Sequence, residues 1–151
     1  MSGIVTLQSG LPFTPTISGD QANTGVGSQR PNVVGKVTMV RKPNCWFYDS
    51  RNSSCGSGTD AFAVPALYTY GNGSINTLRA DGLKQVDVSL LKQIRFGESR
   101  SIEFRGSFFN VFNHTTFAAP ATTNIDSSSA GQITSTLNAS RQIELAGKFY
   151  F

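Results

Sequence analysis

His114 is the only histidine in the chain. Triad chemistry would need it beside a nucleophile and an acid that orients it. Its setting, NHTTF just past a run of aromatics, reads as loop instead. Asp20, Asp49 and Asp60 are acidic oxygen donors, but they are spread apart and show no D-x-D-x-D-G spacing for Ca²⁺. The run Gly27 to Lys36, GSQRPNVVGK, ends in Gly-Lys. The spacing is wrong for a phosphate loop, and no Ser or Thr follows the lysine. The nucleophile-elbow pattern G-x-S-x-G is absent. Cys45 and Cys55, flanked by Asn, Ser and Gly, are a disulfide candidate that would close a short loop in an oxidising compartment. Two free thiols are the alternative. One histidine and no second Cys pair leave a zinc shell incomplete. The residues thus support no enzyme, no catalytic or metal-ligating set and no cofactor.

The same residue types carry a different signal when read for periodicity. In SRSIEFRGSFFNVF, Ser99 to Phe112, the residues Ile102, Phe104, Gly106, Phe108 and Phe112 share one parity. Glu103, Arg105, Ser107 and Phe109 share the other. In RQIELAGKFYF, Arg141 to Phe151, Ile143, Leu145, Gly147, Phe149 and Phe151 alternate with Gln142, Glu144, Lys148 and Tyr150. Leu83 to Phe96 places Val86, Val88, Leu90, Ile94 and Phe96 against Gln85, Asp87, Ser89, Gln93 and Arg95. Lys92 falls on the apolar parity, where it must snorkel or find water. Period two means strands with one apolar and one polar face. A soluble sandwich uses such strands; so does a membrane barrel, with apolar residues toward lipid and polar ones toward a wet lumen. The segment RGSFFNVF partly fits an RNA-recognition strand, with Arg105, Gly106, Phe109 and Phe112 in place and Ser107, Phe108 and Asn110 not. The helices of that fold are missing, and the basic residues are scattered, so no nucleic-acid partner is expected.

Composition agrees with an all-β chain. Charged residues are 15%, against about 25% in ordinary globular proteins. Aromatics reach 11%, with 11 Phe, and Gly, Ser, Thr and Asn are abundant. The formal charge of +4 supports only a faint pull toward anionic surfaces. MSGIVTLQSG lacks the basic leader and apolar core of a signal peptide. No apolar run approaches the roughly 18 residues of a membrane helix. Met1 directly ahead of a strand-like segment points to a piece of a longer secreted chain.

In chain order, residues 3–13 read as a first strand ended by Pro12 and Pro15. Residues 14–82 read as a long irregular region with a short strand near Val33 to Val40. There Trp46, Phe47 and Tyr48 form an aromatic knot with Phe62, Val64, Leu67 and Tyr68 packing against it. Strands follow at 83–96 and 99–112, joined by a tight Gly97-Glu98-Ser99 turn. A second long polar loop, 113–140, contains Gln132 to Leu137 as a possible extension of the sheet. The last strand is 141–151. The expected fold is an antiparallel meander of about four long amphipathic strands, a partial transmembrane β-barrel. Both long loops leave one side, and the short turn and the C-terminus lie on the other. Outer-membrane barrels have this asymmetry, with long external loops and short periplasmic turns. Strands of 11 to 14 residues exceed the roughly 9–11 needed to cross.

At this point the residues resemble a known family. IVTLQSGLPFT, SGDQANTG, QRPN, NTLRADGLKQVDVSLLKQIRF, IEFRGSFFNVFNHTTF, GQITST and RQIELAGKFYF are similar to the late strands of TonB-dependent receptors. The similarity is greatest to the Oar-like subgroup, which carries a carboxypeptidase-regulatory-like domain. The resemblance implies the C-terminal part of a Gram-negative receptor barrel in the cell outer membrane. Lipid-facing residues are then Val86, Val88, Leu90, Ile94, Ile102, Phe104, Phe108, Ile143 and Leu145. Lumen-facing residues are Gln85, Asp87, Gln93, Arg95, Glu103, Arg105, Glu144 and Lys148. Phe149, Tyr150 and Phe151 match a C-terminal barrel-assembly signal, although the glycine expected at Ala146 follows at Gly147. Implied partners are outer-membrane lipid, the remaining strands and plug of the receptor, the barrel-assembly machinery and a transported substrate. A free-standing soluble β-sheet module that binds through its long loops is the competing expectation.

Overall fold

The computed structural model describes residues 1–151. Ten strands follow in chain order. They are β1 (Ser2–Gln8), β2 (Pro12–Phe13), β3 (Asn32–Val33), β4 (Met39–Lys42), β5 (Cys45–Phe47), β6 (Phe62–Ala63), β7 (Leu78–Arg79), β8 (Leu83–Phe96), β9 (Arg100–Phe109) and β10 (Gln142–Tyr150). One 3₁₀ turn, Ser53–Cys55, lies between β5 and β6, and there is no α-helix. The chain divides into two compact units.

The first unit comprises Met1–Ser9, Gly82–Thr116 and Thr136–Phe151. It is one antiparallel sheet in the order β1-β8-β9-β10. Its register sets Val88 opposite Phe108, Lys92 opposite Phe104 and Ile94 opposite Ile102. Gly106 stands opposite both Leu90 and Leu145. The β8–β9 connection is short because Gly97 takes a positive φ of 78°, which a residue with a Cβ adopts only at a cost. Gln8 pairs with Leu83 and Phe109 with Gln142, so both long connections leave the sheet from the end opposite this turn. Tyr150 pairs with Ser101, which puts the C-terminus at the turn end.

The second unit comprises Gly10–Asp81 and Phe117–Ser135. Residues 14–82 are irregular over most of their length, as expected, but they do not form an open loop and instead pack around a core of their own. Phe13, Ile17, Trp46, Phe47, Phe62, Leu78, Ile125 and Ile133 are buried together in a hydrophobic core. Phe47 is fully buried at its centre, with its ring 6.1 Å from Phe13 and edge-on to Phe62 at 6.3 Å. The two chain segments are laced together: Ile125 donates its N–H to Thr16 O, Trp46 to Gly131 O and Ile133 to Pro43 O. Trp46 Nε1 donates to Arg79 O at 2.7 Å, so the one polar atom of the indole is satisfied in the core. Cys45 and Cys55 are joined by a disulfide. Asn52 caps the 3₁₀ turn by accepting from Ser54 N, and its buried amide donates to Asn44 O and Ala130 O.

Other expectations fail locally for identifiable reasons. The strand expected over 3–13 stops at Gln8. Gly10 lies so close to Ala80 that a Cβ would come within 1.8 Å of its carbonyl oxygen, and Leu11 O accepts from Ala80 N instead. Pro12 and Phe13 form a separate ribbon with β7. Gln132 to Leu137 does not extend the sheet, since Ile133 is drawn into the loop core. Val33 to Val40 is two short pieces, β3 and β4, on different ribbons. Val64, Leu67 and Tyr68 are exposed rather than packed on the aromatic knot. Strand β9 ends at Phe109 rather than Phe112, and Phe112 is exposed.

Phe47→Ala removes the ring about which this core is built, and buried Phe→Ala changes cost about 3–5 kcal/mol. Hydrogen exchange read by mass spectrometry should show lost protection over residues 45–48 and 124–133. Unchanged protection there would mean that Phe47 does not hold the loop core.

Candidate functional site

In an antiparallel sheet, directly paired residues share a face. The register therefore assembles two surfaces. Val86, Val88, Leu90 and Ile94 of β8 join Ile102, Phe104 and Phe108 of β9 and Ile143 and Leu145 of β10 on one. Val5 and Leu7 of β1 extend it. Leu145 is 80% exposed, and Ile143, Phe104 and Phe149 are each more than half exposed. No part of the sheet's own unit covers this apolar face.

The opposite face gathers Gln85, Asp87, Gln93, Arg95, Glu103, Arg105, Glu144 and Lys148. These side chains bond along the sheet. Arg105 pairs with Glu103 at 3.3 Å, Gln93 Nε2 donates to Ser101 Oγ, and Gln85 Nε2 bridges both oxygens of Asp87. The Lys148 ammonium sits 4.7 Å from the Tyr150 ring centre. This is a mixed-charge surface with neither a nucleophile–base pair nor a deep pocket. At the turn end, Phe149 and Phe151 stack with centroids 6.0 Å apart.

His114 contributes through its backbone. Its N–H donates to Asn110 Oδ1, and its carbonyl accepts from Asn110 Nδ2 and Asn138 Nδ2. The residue that sequence reasoning passed over is Asn110. It is buried and takes a positive φ of 51°, which ends β9. Its N–H donates to Asp87 Oδ1, and its amide also donates to Ala139 O. Asn113 Oδ1 accepts from Arg141 N, and Asn138 Oδ1 from Thr116 N. The asparagines of FFNVFNHTTF thus clamp the end of β9 to the start of β10. Asn tolerates the left-handed conformation and supplies both donor and acceptor, which is the signal that could have marked it.

Two carboxylates of the loop unit are shifted in opposite directions. Asp20 is held below its ordinary range by hydrogen bonds from Thr24, Gly25 and Gln29. Asp49 is pushed up by burial and by the neighbouring charges of Asp60 and Asp126, against the pull of the Arg51 N–H and guanidinium.

A group whose folded pKa lies above its unfolded value stabilises the fold below the unfolded value and loses that contribution as pH rises through the folded one. Asp49→Asn removes this dependence and keeps the acceptor for Arg51 N–H. The variant's melting temperature should exceed the parent's at pH 7 and match it near pH 3; an equal difference at both would show that its charge is not what matters. Asn110→Ala strands buried partners and places a Cβ-bearing residue without a side-chain cap at positive φ. It should cost about 2–3 kcal/mol by denaturant titration, whereas a loss below about 0.5 kcal/mol would mean the clamp is idle.

An amphipathic antiparallel sheet with long connections at one end and a short turn at the other is the geometry of a membrane barrel wall. A family model described as an outer membrane beta barrel domain matches residues 1–144. No curated protein and no solved structure matches the chain. With an all-β fold, outer-membrane localisation and a match over nearly its whole length, the chain belongs to the outer membrane beta barrel domain family.

Proposed function

We propose that the chain forms part of the wall of a TonB-dependent, Oar-like receptor barrel that takes up a substrate across the outer membrane of a Gram-negative bacterium. The observation that carries this reading is the uncovered apolar face of the four-stranded sheet, backed by a charged, internally bonded polar face. The similarity of FFNVFNHTTF and the terminal aromatic strand to such receptors supports the finer assignment. The apolar face meets lipid. The polar face, with Glu103, Arg105 and Lys148, lines the lumen and meets the plug. The long connections leave the sheet at its external end, and their residues contribute to substrate capture. Phe149, Tyr150 and Phe151 serve barrel assembly at the periplasmic end, where aromatic side chains also suit the membrane interface. The protein performs no catalysis and needs no cofactor in this role.

An exposed leucine in water is replaced by arginine at little cost, but in a bilayer the same change costs about 2–4 kcal/mol near the midplane. Leu145→Arg and Phe104→Arg should each destabilise the protein folded into lipid vesicles by that amount. Ser107→Arg, on the other face, should be mild. Equal tolerance at all three positions, measured by reversible unfolding from vesicles, would overturn the orientation of the wall.

A further inference from the structure

The apolar face is not uniformly apolar, and its charges have one sign. Among the residues that the register places on it, Lys84, Lys92 and Arg100 are charged and none is acidic. Asp87, Glu103 and Glu144, the carboxylates of these strands, all lie on the opposite face. Lys84 and Arg100 stand near the two ends of the sheet, where a headgroup region would reach them. Lys92 does not. It lies within β8, four positions from Phe96 and nine from Leu83, beside Phe104 of β9.

Next to Lys92 the surface is hollowed. A trough of about 540 Å³ has Leu90, Lys92, Phe104, Phe108, Leu145 and Gly147 among its lining residues, and Leu91, Arg105 and Ala146, of the opposite parity, also contribute to it. Backbone reaches its floor at Gly147, whereas the Phe108 ring and the Leu145 methyl lean over Gly106. The Phe108 ring and the Leu145 methyl come within 3.3 and 3.5 Å of where a Gly106 Cβ would stand. The Phe104 ring is 4.0 Å from the corresponding point at Gly147. The result is an apolar furrow bounded by rings and a branched aliphatic chain, with Lys92 the one cation beside it that shares the parity of the apolar face.

We propose that this trough is a binding site for one anionic glycerophospholipid, with an acyl chain lying over Gly147 against the Phe104, Phe108 and Leu145 side chains and the phosphate paired with the Lys92 ammonium. The inference rests on the lipid-facing reading of this face. An ammonium within hydrocarbon is costly unless it reaches water or an anion, and this face offers no carboxylate to pair it. A phosphate carried on an acyl chain supplies the charge and fills the furrow. Lys92 lies nearer the short-turn end, so the lipid belongs to the periplasmic leaflet, which selects a glycerophospholipid.

The test places a tryptophan at Ile102, next along the face from Phe104, in the full-length protein reconstituted into bilayers. Quenching by brominated phosphatidylglycerol is compared with quenching by brominated phosphatidylcholine, and the signal of Trp46 is subtracted using the chain without the new tryptophan. The expected result is a preference of about five-fold for the anionic lipid. The preference should survive Lys92→Arg, fall to near unity in Lys92→Gln, and fall in Gly147→Leu, which fills the furrow at a point where a Cβ meets only the Phe104 ring, at 4.0 Å. Equal quenching by both lipids overturns the site and leaves the lipid-facing reading intact. A preference that persists in Lys92→Gln overturns the role of that lysine. No quenching by either lipid overturns the site together with the reading on which it rests.

Discussion

The pairings of Leu91 with Arg105 and of Lys92 with Phe104 decide the side of the sheet on which every neighbouring residue falls. Because side chains alternate strictly, a slip of one residue would carry all of β9 to the wrong surface, putting Glu103 and Arg105 among the apolar residues and Phe104 and Phe108 among the polar ones. Two features hold the register at its ends. Gly97 closes a three-residue turn at one end. Asn110, bonded to Asp87, His114 and Ala139, stops the strand at the other. Between them the polar face adds matched pairs, with Gln93 reaching Ser101 and Ser89 reaching Ser107. The two surfaces are a consequence of this one alignment.

That dependence explains what was legible beforehand. Most residues of β8 and β9, with Leu91, Lys92, Arg100 and Phe109 as exceptions, carry face information in their own type, so alternation alone outlines Leu83–Phe96 and most of Arg100–Phe109. The faces of Val88, Phe104, Arg105 and Glu144 follow from parity without any knowledge of partners. The loop core is a different case. Ile17, Trp46, Phe62, Leu78, Ile125 and Ile133 obey no period and come from two segments separated by the strands. Their burial depends on long-range backbone bonds such as Ile125 to Thr16, which local pattern does not encode. The same limit applies to Gln132–Leu137, whose strand-like composition loses to the burial of Ile133. Asn110 was hidden differently: its residue type signals a turn, but its several partners become visible only when β8, β9 and the start of β10 are placed together.

The two units meet the cost of ordering their chains by different means. The loop unit does so as water-soluble domains do, with a buried aromatic core, a satisfied indole and a cross-link that restricts its unfolded chain. The sheet does not. All nine residues of β10 are exposed, so this strand is held by its backbone bonds to β9. In water such bonds contribute little net stability each, because the unfolded chain bonds to solvent instead. A strand with no buried side chains and one open edge is a poor investment there.

In hydrocarbon the balance reverses. No solvent competes for the N–H and C=O groups, so each bond between β9 and β10 gains strength, and the exposed Ile143, Leu145 and Phe149 cease to be a liability. The gain carries a condition. The outer edges of β1 and β10 present unpaired backbone groups, and each such group costs several kcal/mol in lipid. The environment that rewards the amphipathic faces therefore forbids the open edges, and both edges must pair with further strands before the sheet is stable in a bilayer. On the proposed reading the faces require lipid, the lipid requires closure, and closure would confine Glu103, Arg105 and Lys148 to a wet interior.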